Sequence, residues 1–162
     1  YVQKKIGKYP KSPTVAEFLE MERNFGLNDK KIYDSFASKL NQIKSKVNEF
    51  ILNAKKENKK IVGYGAPAKA TTLLNFYGLT NEHIDYIIED NKLKHNLFVP
   101  GVKIPIKNKE ELNDGVPDYI LILAWNFADE IMKNNLSYME KGSKFVTFSP
   151  EIKIIEPVKN NY

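Results

Sequence analysis

The stretch "IVGYGAPAKATTLLN", residues 61–75, joins an apolar run to a helical pattern through two glycines placed two apart. Ile61 to Tyr64 has the length and composition of a buried strand. Gly63, Gly65 and Ala68 then fit a G-x-G-x-x-A spacing. Physically, such a spacing serves a tight strand-to-helix turn, close backbone approach, and helix amides aimed at an anion. The helical pattern runs on to Gly78, a residue type that commonly ends helices.

Outward from this turn the same alternation continues. "HIDYIIED" (83–90) reads as a second strand, and "VKIPI" (102–106), after Pro100–Gly101, as a short one. "NKEELNDG" (108–115) reads as a short helix and "DYILILAWN" (118–126) as a third long strand. "FADEIMKNNLSYMEKG" (127–142) follows as one helix and "KFVTFSP" (144–150) as a fourth long strand. Buried strands separated by helices predict an α/β fold: a Rossmann-like, doubly wound, mainly parallel sheet with helices on both faces.

Upstream the pattern is purely helical. After an extended arm, Ser12 is placed to cap a helix with Pro13 in its first turn, or Thr14 and Glu17 to form a capping box. Gly26 is placed to end that helix. Asp29 opens a longer one reaching about Asn58, on which Ile32, Phe36, Leu40, Ile43, Val47, Phe50, Ile51 and Ala54 step by three and four along one face. The expected organisation is therefore residues 1–58, an arm and two helices entering the domain, and residues 59–162, the α/β domain. The chain opens on Tyr1 in mid-phrase and reads as the C-terminal piece of a longer protein.

Composition narrows the classes. The chain has 162 residues, enough for a proper core, and its 42% hydrophobic content is that of an ordinary globular protein. No apolar run approaches the ~20 residues that cross a bilayer, and no signal peptide is visible. There is no cysteine, and the two histidines, His83 and His95, cannot by themselves make a zinc site. The expected location is the cytoplasm. The net charge of +5 comes from scattered lysines without a basic stripe, so neither nucleic acid nor membrane is expected as a partner.

In a doubly wound sheet, ligands bind beyond the carboxyl ends of the strands. Residues 63–66, 89–91, 124–126 and 149–150 are expected to meet there. Glu89 stands where a dinucleotide enzyme keeps its ribose acid, which by itself suggests NAD. Against that, Pro67 removes an amide donor and Lys69 adds a cation that dinucleotide sites seldom need. Each residue also has a plain structural reading. The glycines can serve only a tight turn, Lys69 can be solvated, Asn126 can cap the following helix, and Trp125 can be core. On the residues alone, the site is a generic anion or nucleotide pocket.

Several separated segments carry a resemblance. "VGYGAPAKATTLLNFYG" resembles the strand-loop-helix signature of the C-terminal domain of sugar C-methyltransferases, S-adenosylmethionine-dependent enzymes that methylate a ring carbon of nucleotide-linked deoxysugars. "YPKSPTVAEFLEMERNFGL" resembles the segment entering that domain. "VPGVKIPI" resembles its Pro-Gly…Ile-Pro turn, "PDYILILAWNFADEIM" its strand ending in Trp-Asn, and "KFVTFSPEIKII" its closing strand and tail. There are departures: Ala70 and Thr71 stand where the family often has Gly-Asn, and Lys92 to Asn96 replaces Pro-x-Lys-Gln-Gly. Ala124 replaces the proline of Pro-Trp-Asn. Lys69, Asn91, Lys94, Trp125 and Asn126 are retained.

The resemblance implies a function shared with a preceding part of the protein. A base removes the proton alpha to a keto group, and the enolate carbon attacks the sulfonium methyl. S-adenosylmethionine, the acid-base residues and a zinc-binding region are implied to lie ahead of this chain, which itself holds no cofactor, no metal and no catalytic residue. This domain is implied to hold or close over a nucleotide-diphosphate sugar with Tyr64, Gly65, Ala66, Ala68, Lys69, Thr72, Asn91, Trp125 and Asn126. Its partners are then that sugar and the preceding methyl-donor-binding domain. Two other readings stand beside it: a catalytically silent structural or dimerisation domain, for which a homodimer would cover the Ile32-to-Ala54 stripe, and an NAD-binding oxidoreductase module.

Overall fold

A computed structural model of the chain describes residues 2–156, the side chains of Asn113 and Asp114 apart. The expected limits at residues 1 and 162 lie outside the described residues. Two compact units are present, Tyr1–Asn41 and Gln42–Tyr162.

In the first unit, helix α1 (Pro13–Phe25) starts where its sequence says it should: Ser12 Oγ accepts the Thr14 amide, and Pro13 fills the first turn. Gly26, with φ +88°, ends it in the left-handed conformation that alanine or larger residues resist. Helix α2 (Lys30–Lys56) follows, with Asp29 Oδ1 accepting the Lys31 amide at 2.9 Å; from Gln42 onward its residues belong to the second unit.

The second unit is built on a six-stranded mixed sheet. Its strands are β1 (Ile61–Tyr64), β2 (Ile87–Ile88), β3 (Ile106–Lys107), β4 (Tyr119–Ile122), β5 (Lys144–Thr147) and β6 (Lys153–Ile155), in the order β3-β2-β1-β4-β5-β6. Every pairing is parallel except β5 with β6. The quoted stretch thus supplies the central strand, with Gly63 level with Ile87 on one side and Leu121 on the other.

Period-two alternation divides the buried side chains into two clusters. One holds Ile61, Ile87, Leu121 and Val146 with Val47, Ile51 and Ala54 of α2 and Ala70, Leu74 and Tyr77 of α3 (Ala68–Tyr77). The other holds Val62, Tyr64, Ile88, Ile120, Ile122 and Phe145. Against these lie Ile131 and Met132 of α4 (Ala128–Lys133) and Tyr138 and Met139 of α5 (Leu136–Glu140). The C-terminal part of the α2 stripe is therefore core, whereas Phe36 is 60% exposed.

Four elements depart from expectation, the first being the strand expected over 102–106, which is observed at Ile106–Lys107. The strand expected over 83–90 shrinks to Ile87–Ile88, although Ile84 and Tyr86 are buried. The helix expected over 127–142 is broken into a 3-10 turn (Trp125–Phe127), α4 and α5. Asn135 is the cause: its Nδ2 donates to the Ile131 carbonyl at 2.7 Å, a local bond that competes with the helix. The closing tail also forms a strand, β6, the antiparallel edge of the sheet. Among the described residues no helix is long and apolar enough to cross a membrane.

Candidate functional site

Beyond the carboxyl ends of β1, β2 and β4 the sheet opens into a pocket of about 390 Å³, a size typical of small-molecule sites. Tyr64, Gly65 and Pro67 line it from the β1 turn, Glu89 and Asp90 from β2, and Ala124 from β4. Three of the four expected segments meet here. Ser149 and Pro150 do not line the pocket. Instead the broken helix supplies Phe127, Glu130, Ile131, Asn134 and Asn135.

Gly65 makes the meeting of β1 and β4 possible. Its φ is +84°, and a Cβ there would lie 2.7 Å from Ala124 Cβ. At Gly63 a Cβ would press on Ile87 and Leu123 at 2.8 and 2.9 Å, so both glycines answer to close approach.

The turn itself is less open to an anion than its spacing predicts. The Gly65 amide donates to the Ile88 carbonyl at 2.7 Å. The Ala66 amide donates to Glu89 Oε2 at 2.9 Å. Pro67 carries no N–H. Of the four backbone nitrogens from Gly65 to Ala68, that leaves only Ala68, which with Lys69 opens α3, where helix geometry provides no intrahelical acceptor.

Glu89 is fully engaged. Besides Ala66 it accepts the Asn91 amide at 3.0 Å and pairs with Lys94 Nζ at 3.1 Å, and Lys94 also donates to the Ala66 carbonyl. Burial would raise the Glu89 pKa, but the Asn91 and Ala66 amides and the Lys94 ammonium outweigh it and hold the carboxyl below its ordinary value. With its side chain 13% exposed and both oxygens bonded, Glu89 does not fit the ribose-binding role that its position suggests.

The remaining expected residues divide. Lys69 Nζ sits over the Trp125 ring, 4.3 Å from its centroid, a cation–π pair between the first turn of α3 and the turn after β4; neither residue lines the pocket. Tyr64 is 4% exposed and directs its hydroxyl to Asp90 at 3.1 Å. Burial pushes its pKa up; the Asn135 side chain opposes this and the Asp90 charge adds to it, to about 12. Tyr64 therefore stays protonated. Asn91 caps the 3-10 turn Lys92–Lys94 by accepting the Leu93 amide. Ala68 and Thr72 are exposed on α3. Asn126 is exposed inside the 3-10 turn and does not cap α4, whose N-cap position is Phe127. Asn135 and Glu130 are site residues that sequence reading missed. Their one signal was the Asn134-Asn135 pair interrupting a helical pattern.

Among the described residues no group of three or more His, Cys, Asp and Glu could hold a metal. His83 and His95 are used locally, at Thr80 and at the Glu89 carbonyl.

The family model of the C-methyltransferase C-terminal domain matches residues 1–150. A curated relative, C-methyltransferase NovU of Streptomyces niveus, is 36% identical over 143 residues, 88% of this chain. The matched region is 34% of that relative, so the chain spans about a third of its length.

Proposed function

Because this chain belongs to the family of C-methyltransferase C-terminal domains, we propose that it holds a nucleotide-linked keto-deoxysugar while another part of the protein transfers the methyl group. The fold of this reading is a Rossmann-like doubly wound sheet. Its strand order, β3-β2-β1-β4-β5-β6, has its topological switch between β1 and β4, the place where such sheets bind ligands. Residues 59–162 are then the ligand-holding domain, and residues 1–58 lead into it.

The Lys69–Trp125 pair carries this reading. It places a cation and an aromatic face together at the switch point, beside the first amides of α3. A diphosphate suits the cation and the helix N-terminus, and a base or sugar suits the ring. A handle held far from the reacting carbon supplies orientation. Removal of the proton alpha to the keto group, and the methyl donor S-adenosylmethionine, belong to the preceding part of the protein in this proposal. Glu89, the acid at the β2 end, is already bonded and is not free to take that donor. Nor, among the described residues, does any group fit a zinc, and none is proposed for this chain. The setting is cytoplasmic, with no nucleic acid or membrane as partner.

One observation favours a second reading, a structural domain that supports the catalytic part or a homodimer. Glu89 and Pro67 together remove two of the donors a phosphate would need.

Thermal shift of the chain with dTDP, UDP, GDP, CDP and their sugars separates these. A ligand at 100 times its Kd adds about 2.7 kcal/mol. Lys69→Ala should weaken that binding about tenfold, or 1.4 kcal/mol, while leaving the unliganded melting temperature within a few degrees. Equal affinity in wild type and variant would remove Lys69 from the site. A shift with NAD(H) alone would overturn the proposal.

A further inference from the structure

Helix α1 carries an apolar face that no described residue buries. At about 100° per residue, Met21, Phe25, Phe18, Val15 and Leu19 follow one another across roughly 160° of its circumference. Glu17, Glu20, Arg23 and Asn24 lie on the opposite side. The five apolar side chains are each 45–67% exposed, and no residue of α1 is buried. Tyr33 and Phe36, early in α2, add two more exposed rings to the same unit. Glu22 stands in the middle of the apolar arc and has no ion-pair partner among the described residues.

A helix of 13 residues is marginal in water by itself, and most helices owe their stability to packing of the apolar face. Ser12 and Gly26 cap the ends of α1 but bury nothing. So large a run of exposed apolar side chains marks a surface that meets another protein surface. The family match begins at residue 1, so this face belongs to the family's domain.

The occupant follows from the length of the protein. The matched region is 34% of the relative, so about two thirds of that protein lies outside it, and the matched domain is the C-terminal one. In the reading proposed above, the preceding part therefore joins this chain through the arm. Residues 2–12 contain no helix or strand and can span at most about 40 Å. A partner on so short a tether meets α1 at an effective concentration on the order of millimolar, an advantage that a second copy of the chain lacks.

We propose that the apolar face of α1 is the docking surface for the preceding part of the protein, which meets it with an apolar patch carrying a cation opposite Glu22. A carboxylate enclosed by apolar side chains loses its water on contact and is tolerated only when paired. The inference rests on the reading of this chain as the C-terminal part of a longer methyltransferase and is independent of the ligand.

The test follows amide hydrogen exchange of residues 13–25 by mass spectrometry in the full-length protein and in the 162-residue chain, without ligand and at two concentrations tenfold apart. Exchange should be tenfold or more slower in the full-length protein, equally at both concentrations. Within the full-length protein alone, Phe18→Glu should remove this protection and speed exchange in a segment of the preceding part. The same substitution in the 162-residue chain should leave its melting temperature within about 2 °C, because an exposed side chain outside the core contributes little. Glu22→Lys should also lose protection, and unchanged exchange in that variant removes the cation opposite it. Equal exchange of residues 13–25 in the two proteins overturns the docking surface, as does protection that grows with concentration, which would assign the face to a second copy. Docking lost while nucleotide-sugar binding persists sinks this inference alone. Docking retained without nucleotide binding sinks the ligand reading alone.

Discussion

Gly65→Ala should destabilise the chain by about 3 kcal/mol and lower its melting temperature by roughly 6–12 °C. Two costs add. A φ of +84° is unfavourable for any residue with a Cβ, and the new methyl would sit 2.7 Å from Ala124 Cβ. Ala124 offers no flexible end that could swing aside, so relief requires β1 and β4 to part at their carboxyl ends. Gly78→Ala isolates the first cost, because Gly78 has φ +75° and nothing within 4 Å of its would-be Cβ. That variant should lose only about 1 kcal/mol. Equal melting temperatures for the two variants would show that the Ala124 contact relaxes freely. Because this contact sets the distance across the switch point, Gly65→Ala should also weaken whatever the crevice holds.

The second large effect is expected at Glu89. Glu89→Ala strands the Ala66 and Asn91 amides and the Lys94 ammonium at one stroke. Water reaches Asn91 but is partly excluded at Ala66, so the expected cost is about 2 kcal/mol, or roughly 4–8 °C. Glu89→Gln retains an acceptor and should lose about half of that. The two also differ in pH dependence. The folded-state pKa of Glu89 lies below the ordinary 4.5, so its contribution is fully present above that value. It is lost as pH falls from 4.5 through the lowered folded value. The gap in melting temperature between wild type and Glu89→Gln should therefore close on acidification through this range. Asp118, also held low, titrates in both proteins and drops out of the difference. A gap that stays constant down the acid limb would mean that the carboxylate charge contributes nothing here.

These two residues explain why the glycine-rich turn is a poor guide to its own ligand. The spacing of Gly63, Gly65 and Ala68 advertises free amides. In the folded chain Glu89 closes one of them, and the β1 turn becomes a structural clasp. The acid that suggested a dinucleotide is the same group that argues against one.

Much of the framework was legible in local pattern. Ser12 and Pro13 start α1, Gly26 and Gly78 end α1 and α3, and the apolar runs at 61–64, 119–122 and 144–147 are strands. The mixed, mainly parallel α/β sheet followed from their alternation with helices, and the separate motifs pointed to the C-methyltransferase family. Other elements escaped because their signals are not local. The apolar residues Ile84 and Tyr86 read as strand, and the Asp85 amide and Tyr86 carbonyl do bond Ile61 and Gly63 of β1, but regular strand pairing is confined to Ile87–Ile88. β6 has an exposed, charged first residue and pairs only because the chain turns back along the edge of β5. In the helix over 127–142, propensity summed along the segment hid the one side-chain bond, Asn135 to Ile131, that breaks it.

Sequence by itself determined the order of strands and helices, where several helices begin and end, and the family, because periodicity and capping depend on neighbours a few residues away. Tertiary structure alone decided which polar groups remain free. Ala66 meets Glu89 across 23 residues of sequence, and Gly65 meets Ala124 across a longer span still. Asn135 reaches the pocket only because its helix is broken and laid against the β1 turn. Hydrogen-bond satisfaction is settled by such distant partners, and so the character of the pocket could be read only once the chain was folded.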